Sequence, residues 1–501
     1  MSPVTGDAHD SVSVPETEEQ NQATSDHASS TTKPRGKRAL APDLLRGFLM
    51  PLMALDHLSV VFNTWPHGTG RVAEGDGVVV ERFNFAVAYI VRTLTHLCAP
   101  GFTLLLGMGV VYLCQSRSRL GWSASRLAVY FVQRALALTA VMLVMSYLVT
   151  AGQIWLLNMI LLALAVDYLV AGLLCLALIK TESLLTRQLV KFMPKSGEQQ
   201  PLLARDPQGM RRRQTQLASA VSWHIHNAVL LALSVVTIAW NIWLSEGHGR
   251  CQPGLESAVS QDTAEAAFQS PENPLLRIWF WPVSTKVILS EFPPLAWLSF
   301  AILGLLYGRI LTARAWNARA LLVGQTLAGF LFALVFVATR LLRIGNLSED
   351  CLHTSQQRLH PDANQYLVSP PSFFYIVKYP PDVAFWAMTV AANLFLLAGF
   401  GAMPARAVKS LGMLLDFGTS ALFFYIVHFL LLLIMASVLV PLFGHDTGVP
   451  YPLDPNATRG IDNIAAYFTI WAIAMLTLWP LCRLYSRFKS RKPADSIWRF
   501  F

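Results

Sequence analysis

Residues 421–442 read Ala-Leu-Phe-Phe-Tyr-Ile-Val-His-Phe-Leu-Leu-Leu-Leu-Ile-Met-Ala-Ser-Val-Leu-Val-Pro-Leu, an apolar run whose only ionisable groups are Tyr425 and His428. About 20 such residues cross the hydrocarbon layer as a helix. The run is continuous and lacks period-two alternation, which excludes a barrel strand. Nine further stretches read the same way. The ten predicted spans are 44–63, 86–114, 126–149, 153–179, 219–244, 293–313, 320–342, 381–403, 411–442 and 462–483. The expected fold is therefore an all-α polytopic membrane helix bundle.

Composition agrees. Hydrophobic residues make up 54% of the 501-residue chain and charged residues 14%. Ordinary soluble domains carry roughly 25% charged residues. Disordered chains, coiled coils and most soluble enzymes are excluded. The net charge of +9 does not point to nucleic acid, because the basic residues lie between the apolar runs instead of on one folded face.

With the amino terminus cytoplasmic, 26 of the 39 Lys and Arg fall in cytoplasmic segments and nine in the opposite ones. The remaining four, Arg46, Arg92, Arg134 and Arg340, lie inside spans. This bias places both termini in the cytoplasm. Residues 1–42 read as a disordered polar tail turning basic, without a cleavable signal peptide. The membrane domain spans 43–490, with a cytoplasmic loop at 180–218 and outer loops at 245–292 and 343–380. Residues 491–501 form a second cytoplasmic tail. The stretch 275–292, with Trp279 and Trp281, reads as an interfacial helix packed on the bundle.

Outer-loop chemistry supports that orientation. The glycosylation sequons at Asn346 and Asn456 both lie outside. Cys251 and Cys351 occupy the two longest outer loops, where a disulfide persists; the alternative is two unpaired thiols.

Ionisable groups inside a membrane are costly and mark functional interiors. In the first span Arg46 sits at the cytoplasmic mouth, with Asp56 and His57 about 15 to 17 Å further along the axis. The second span runs back inward and carries His96 in its outer half. In the ninth, His428 lies about 18 Å beyond Asp416. A carboxylate beside an imidazole fixes its tautomer and raises its basicity, as general-base catalysis requires. Neighbours on a helix diverge by about 100°, so Asp56 is expected to orient His96 and not His57. A structural ion pair of Asp56 with Arg92 or Arg134 is the alternative. Pro51, Pro100, Pro293 and Pro294 imply kinks, and Gly101, Gly107 and Gly109 imply close helix packing. No Walker, GxGxxG or metal-ligand spacing occurs, so no metal is expected.

Several stretches in order carry a resemblance. They are Asp43-Leu-Leu-Arg46-Gly47 leading to Leu55-Asp56-His57, then Thr95-His96-Leu-Cys98-Ala-Pro100, then Phe292-Pro-Pro-Leu-Ala-Trp297 with Gly304-Leu-Leu-Tyr307-Gly308-Arg309. Lys378-Tyr-Pro-Pro381, Phe423-Phe-Tyr-Ile-Val-His428 and Leu481-Cys-Arg483 follow. From about residue 40 to 492 the chain resembles the heparan-alpha-glucosaminide N-acetyltransferase catalytic-domain family of membrane acyltransferases, in its microbial branch. The resemblance implies transfer of an acetyl group from cytosolic acetyl-CoA to an amine or hydroxyl, of a sugar or another small acceptor, at the outer or lumenal face. It implies His57, His96 and Asp56 as catalytic candidates, with His67 in competition. Tyr425, Lys378 and His428 fall to the acceptor side, and Arg46, Arg134 and Arg309 to the CoA phosphates or, equally, to lipid phosphate. The chain departs from the animal enzyme in having a polar tail where that enzyme has a lumenal domain, which puts heparan sulfate in doubt as acceptor.

Membrane lipid and the acceptor are the expected partners, with a homodimer left open, in an endomembrane, vacuolar-lysosomal or plasma membrane. A proton-coupled carrier using the same Asp and His groups is the rival function. A structural or receptor-like protein is the second rival.

Overall fold

The computed structural model describes residues 40–66, 75–193, 207–245, 249–251, 273–451, 457–493, 496 and 498. The tail before residue 40, His67, Asn456, most of the carboxyl-terminal tail and parts of the loops at 180–218 and 245–292 lie outside these.

In chain order the elements begin with helix α1 (Leu40–Val61), then α2 (Ala86–Thr95), α3 (Cys98–Arg119) and α4 (Ala124–Thr150). Strand β1 (Leu156–Asn158) precedes α5 (Leu161–Phe192) and α6 (Pro207–Leu244). A single turn, α7 (Pro274–Arg277), leads to β2 (Val283–Ser284) and β3 (Ile288–Ser290). Next come α8 (Pro294–Ala313), α9 (Ala318–Leu342), the short α10 (Ser355–Leu359) and α11 (Pro370–Phe374), and α12 (Val383–Ala402). The chain ends with α13 (Ala405–Ser410), α14 (Gly412–Thr419), α15 (Ala421–Phe443), strands β4 (His445–Asp446) and β5 (Arg459–Gly460), and α16 (Ile464–Ser490). Ten helices among the described residues are long and apolar enough to cross a membrane, α2 and α3 together making one.

Four details differ from the sequence reading. The second span breaks at His96 and Leu97, because Pro100 has no N–H to offer the His96 carbonyl. The ninth breaks at Ser420, whose hydroxyl donates to the Asp416 carbonyl at 2.6 Å and competes with the helical ladder there. The loop at 180–218 is helical at both ends, as α5 runs on to Phe192 and α6 starts at Pro207. Residues 180–192 contain no Gly or Pro and are rich in Leu, Lys, Arg, Glu and Gln, so nothing stops the helix where the apolar run ends. The expected interfacial helix at 275–292 is one turn followed by a hairpin. Its β3 pairs parallel with β1 and antiparallel with β2.

α1, α3, α8 and α12 form the hub and bury most of their length, whereas α4, α6, α9, α15 and α16 keep a broad apolar face outward. The hub helices approach closely through glycine. A methyl added at Gly107 would strike the Ala301 carbonyl, and one at Gly304 the Leu104 carbonyl. Gly47 and Gly418 join α1 to α14 in the same way, and Gly101 packs on Leu49 and Asn393. Gly109 faces open space. Gly304→Val is therefore expected to cost about 1–3 kcal/mol by overpacking. Gly109→Ala should leave stability unchanged or raise it. Thermal unfolding in detergent, followed by tryptophan fluorescence, checks the contrast.

The outer loops pack into a cap with its own small core of Val80, Leu347, Leu352, Tyr366, Tyr375 and Val377. Cys251 and Cys351 are bonded, closing a separation of 100 residues. Cross-links over loops of that length stabilise by roughly 4–5 kcal/mol in the chain-entropy picture. Arg340, fully buried at the outer end of α9, donates to Asn346 Oδ1 and to the Tyr375 carbonyl, both at 2.8 Å. Asn346 is itself only 4% exposed, and its Nδ2 donates to the Thr339 carbonyl at 3.1 Å. The nitrogen a glycan would need is thus bonded and enclosed, and Asn346 serves as a structural element of the cap.

Candidate functional site

Packing alone does not explain the outer half of the bundle. A cavity of about 880 Å³ lies there, bordered by α1, α3, the end of α4, β1, β3 and α15. The cap segment around Lys378 and the segment 447–451 complete its wall. Its volume suits a ligand of the size of a disaccharide or a short amphiphile. Asn158 holds part of the roof by donating to Ser290 Oγ at 2.9 Å and to the Phe292 carbonyl at 2.8 Å. Asn63 pins the segment after β4 by donating to the Val449 carbonyl at 2.6 Å. Tyr467 and Trp471 of α16 donate to the Leu55 and Pro51 carbonyls at 2.7 and 2.9 Å, fixing the part of α1 that carries the polar residues.

His57 borders this cavity, and its Nδ1 lies 2.8 Å from Nε2 of His428. The rings stack at 5.1 Å between centroids. His428 is fully buried, and its Nδ1 lies 2.9 Å from the Phe424 carbonyl. A carbonyl only accepts, so His428 carries its proton on Nδ1. An imidazolium at this fully enclosed position would be an ion in an apolar surrounding, which costs several kcal/mol, so His428 is neutral and its Nε2 accepts. The proton between the rings then belongs to His57 Nδ1, so a neutral His57 has its lone pair on Nε2. One carbonyl thus sets two tautomers in series.

Asp56, one residue before His57, points elsewhere. Its Oδ1 accepts from the Thr95 hydroxyl at 3.3 Å, and Lys378 Nζ stands 3.9 Å from Oδ2. Lys378 also lies over the rings of Tyr379 and Phe292, at 4.8 and 5.3 Å. Asp56, His57, Thr95 and Lys378 all border the cavity.

His96 is 2% exposed and packs on Phe385 at 5.4 Å. It borders a separate void of about 20 Å³ with Asp56, Thr95, Arg92 and Lys378. Asp56 and His96 border the same small void, but His96 is not among the residues that border the main cavity. The cation beside Asp56 at the cavity wall is Lys378, which the sequence reading placed on the acceptor side alone. Arg92 donates to the Ile376 carbonyl at 3.2 Å, and Arg134 lies over Tyr168 at 4.8 Å.

The remaining candidates divide. Tyr425 is edge-on to His57 at 6.3 Å but borders a small neighbouring void and not the cavity. Arg46 pairs with Asp43 at 3.1 Å, and Arg309 with Glu182 at 2.7 Å and Asn227 at 3.0 Å. Arg46, Arg134 and Arg309 lie on three different helices, and none borders the cavity. Asp167, in the second turn of α5, is the only charged residue of its predicted span. It is fully buried, and neither oxygen has a hydrogen-bond partner among the described residues.

The chain matches no protein-family model and no curated protein sequence.

Proposed function

We propose that this protein is a membrane acyltransferase that moves an acetyl group from cytosolic acetyl-CoA to an amine or hydroxyl of an acceptor held in the outer cavity, as the resemblance to the heparan-alpha-glucosaminide N-acetyltransferase catalytic-domain family implies. The observation that carries the reading is the chain from the Phe424 carbonyl through His428 to Nδ1 of His57, a residue that lines a ligand-sized cavity.

In the proposed reaction His57 Nε2 takes the proton of the acceptor hydroxyl or amine as that group attacks the thioester carbonyl. The new C–O or C–N bond forms, the C–S bond breaks, and the proton passes from Nε2 to the departing CoA sulfur. Proton uptake makes His57 an imidazolium, which Asp56 in the same cavity favours. Lys378 faces negative charge developing on the thioester oxygen. The same lone pair serves if the acetyl group rests briefly on Nε2, and mass spectrometry of acid-quenched protein separates the two routes. Arg46, about 16 Å down α1 from His57, stays the candidate for the CoA phosphates in this reading. Contact with them requires exchange of the guanidinium from Asp43.

Proteoliposomes with labelled acetyl-CoA on the cytoplasmic side and glucosamine on the other test this directly. The expected result is acetylated amine on the acceptor side, dependent on protein. Asp167 favours the second reading, a proton-coupled carrier, because a buried partnerless carboxyl in a span is the hallmark of a proton relay. Solute flux without any response to acetyl-CoA would select that reading.

A further inference from the structure

The residues bordering the cavity include the polar Asp56, His57, Thr95 and Lys378 and the apolar Val149, Met159 and Phe429. The apolar lining does not end at the cavity. Val149, Leu157, Met159 and Phe429 also border a second void of about 20 Å³, which continues between α4 and α15 to Met142 and Met145. Val149 and Met142 are seven residues apart on α4, so the residues lining this seam span about 10 Å of that helix. It begins beside the base, as the Phe429 ring is 5.4 Å from His57.

The two helices that frame the seam touch each other only sparingly. α4 packs chiefly on α5, and α15 on α1 and α16. Both present apolar side chains outward, Val144 and Leu148 on α4 and Ile434 and Val438 on α15, each more than half exposed. A narrow seam between two lipid-facing helices, filled by flexible methionine side chains and ending at a polar cluster, fits an amphiphile with its head at the base and its tail in the seam.

We infer that the acceptor is lipid-tailed: a hydroxyl- or amine-bearing head group, such as a sugar, on an alkyl or isoprenoid chain that lies between α4 and α15. A soluble sugar would leave Val149, Met159 and Phe429 facing water, whereas a chain covers them. The inference rests on the acyl-transfer reading for its word acceptor, but the tail site does not depend on catalysis.

Two readouts separate them. The first is photocrosslinking in nanodiscs, with a dodecyl glucosaminide carrying a diazirine at the end of its chain. The expected labels fall on Met142, Met145 or neighbouring residues of the seam, and excess unlabelled dodecyl glucosaminide suppresses them. Met145→Trp fills the seam and should remove this label, while Leu143→Trp on the outward face of α4 should not. Labels spread over the outward helix faces, unaffected by competitor or by Met145→Trp, would overturn the inference.

The second readout is acetyl transfer to free glucosamine against dodecyl glucosaminide. A KM at least about tenfold lower for the dodecyl acceptor is expected. Met145→Trp should collapse the ratio. Transfer with equal KM values and no seam label would sink the lipid tail and leave the acyltransferase standing. A competed seam label without transfer to either acceptor would sink the acyltransferase and leave the lipid site standing.

Discussion

His57→Gln is expected to lower acetyl transfer by about 10²–10⁴-fold, the usual worth of a positioned general base. The substitution keeps polarity and approximate size, and His57 is only half-buried at the cavity wall, so the folded fraction should change little. His428→Ala removes no group from the cavity wall, yet it should also impair turnover, because His57 Nδ1 loses the acceptor that holds its proton. With that acceptor gone both tautomers of His57 become accessible, and only one presents a lone pair on Nε2. His428→Asn, whose side-chain carbonyl can accept, should recover part of the loss. The discriminating quantity is kcat at saturating acceptor, with KM little changed for either His428 variant. A merely structural His428 would lower the amount of folded protein and leave kcat per folded molecule intact.

The second large effect concerns the charge pair over the cavity. Asp56→Asn leaves Lys378 with an ammonium that is 5% exposed and faces an amide. Breaking one partner of such a pair costs about 3 kcal/mol. Lys378→Met strands the Asp56 carboxylate in the same way, although Thr95 still donates to it. The double variant Asp56→Asn/Lys378→Met removes both charges and should be more stable than either single variant, a positive coupling that thermal unfolding of all four proteins measures. Transfer activity should stay low in the double variant, since the imidazolium formed during reaction has lost its carboxylate. Additive losses in stability would mean that the two groups do not act as a pair.

The contrast between what could and could not be read from the chain follows from how each feature is encoded. The spans were legible because a bilayer demands long continuous apolar runs, and α15 and α12 supply them almost without interruption. The break at His96 was also written locally, in Pro100 four residues on. The sheet of β1, β2 and β3 was not, since strands of two or three residues are too short to show alternation and the pairing of β1 with β3 joins residues more than 120 positions apart. The site shows the same limit. Depth follows from counting residues along a helix, so His57 and His428 could each be placed in the outer half. Rotation of one helix against another does not, so the bond between residues 371 positions apart could not be foreseen. Lys378 was a candidate without a partner until the cap segment brought it to Asp56. The burial of Asn346 was hidden for a related reason: a sequon carries no information on burial, and Arg340 holds that side chain inside.

The most direct measurement is the protonation pattern of the two imidazoles. Solid-state nitrogen NMR on protein labelled at histidine, in lipid, resolves protonated from unprotonated ring nitrogens, and difference spectra against His57→Gln and His428→Asn assign the signals. The expected result is a neutral His57 with the proton on Nδ1 and an unprotonated Nε2, hydrogen-bonded through Nδ1 to His428. A His57 with its proton on Nε2, or a doubly protonated His57 in the resting protein, would contradict the account.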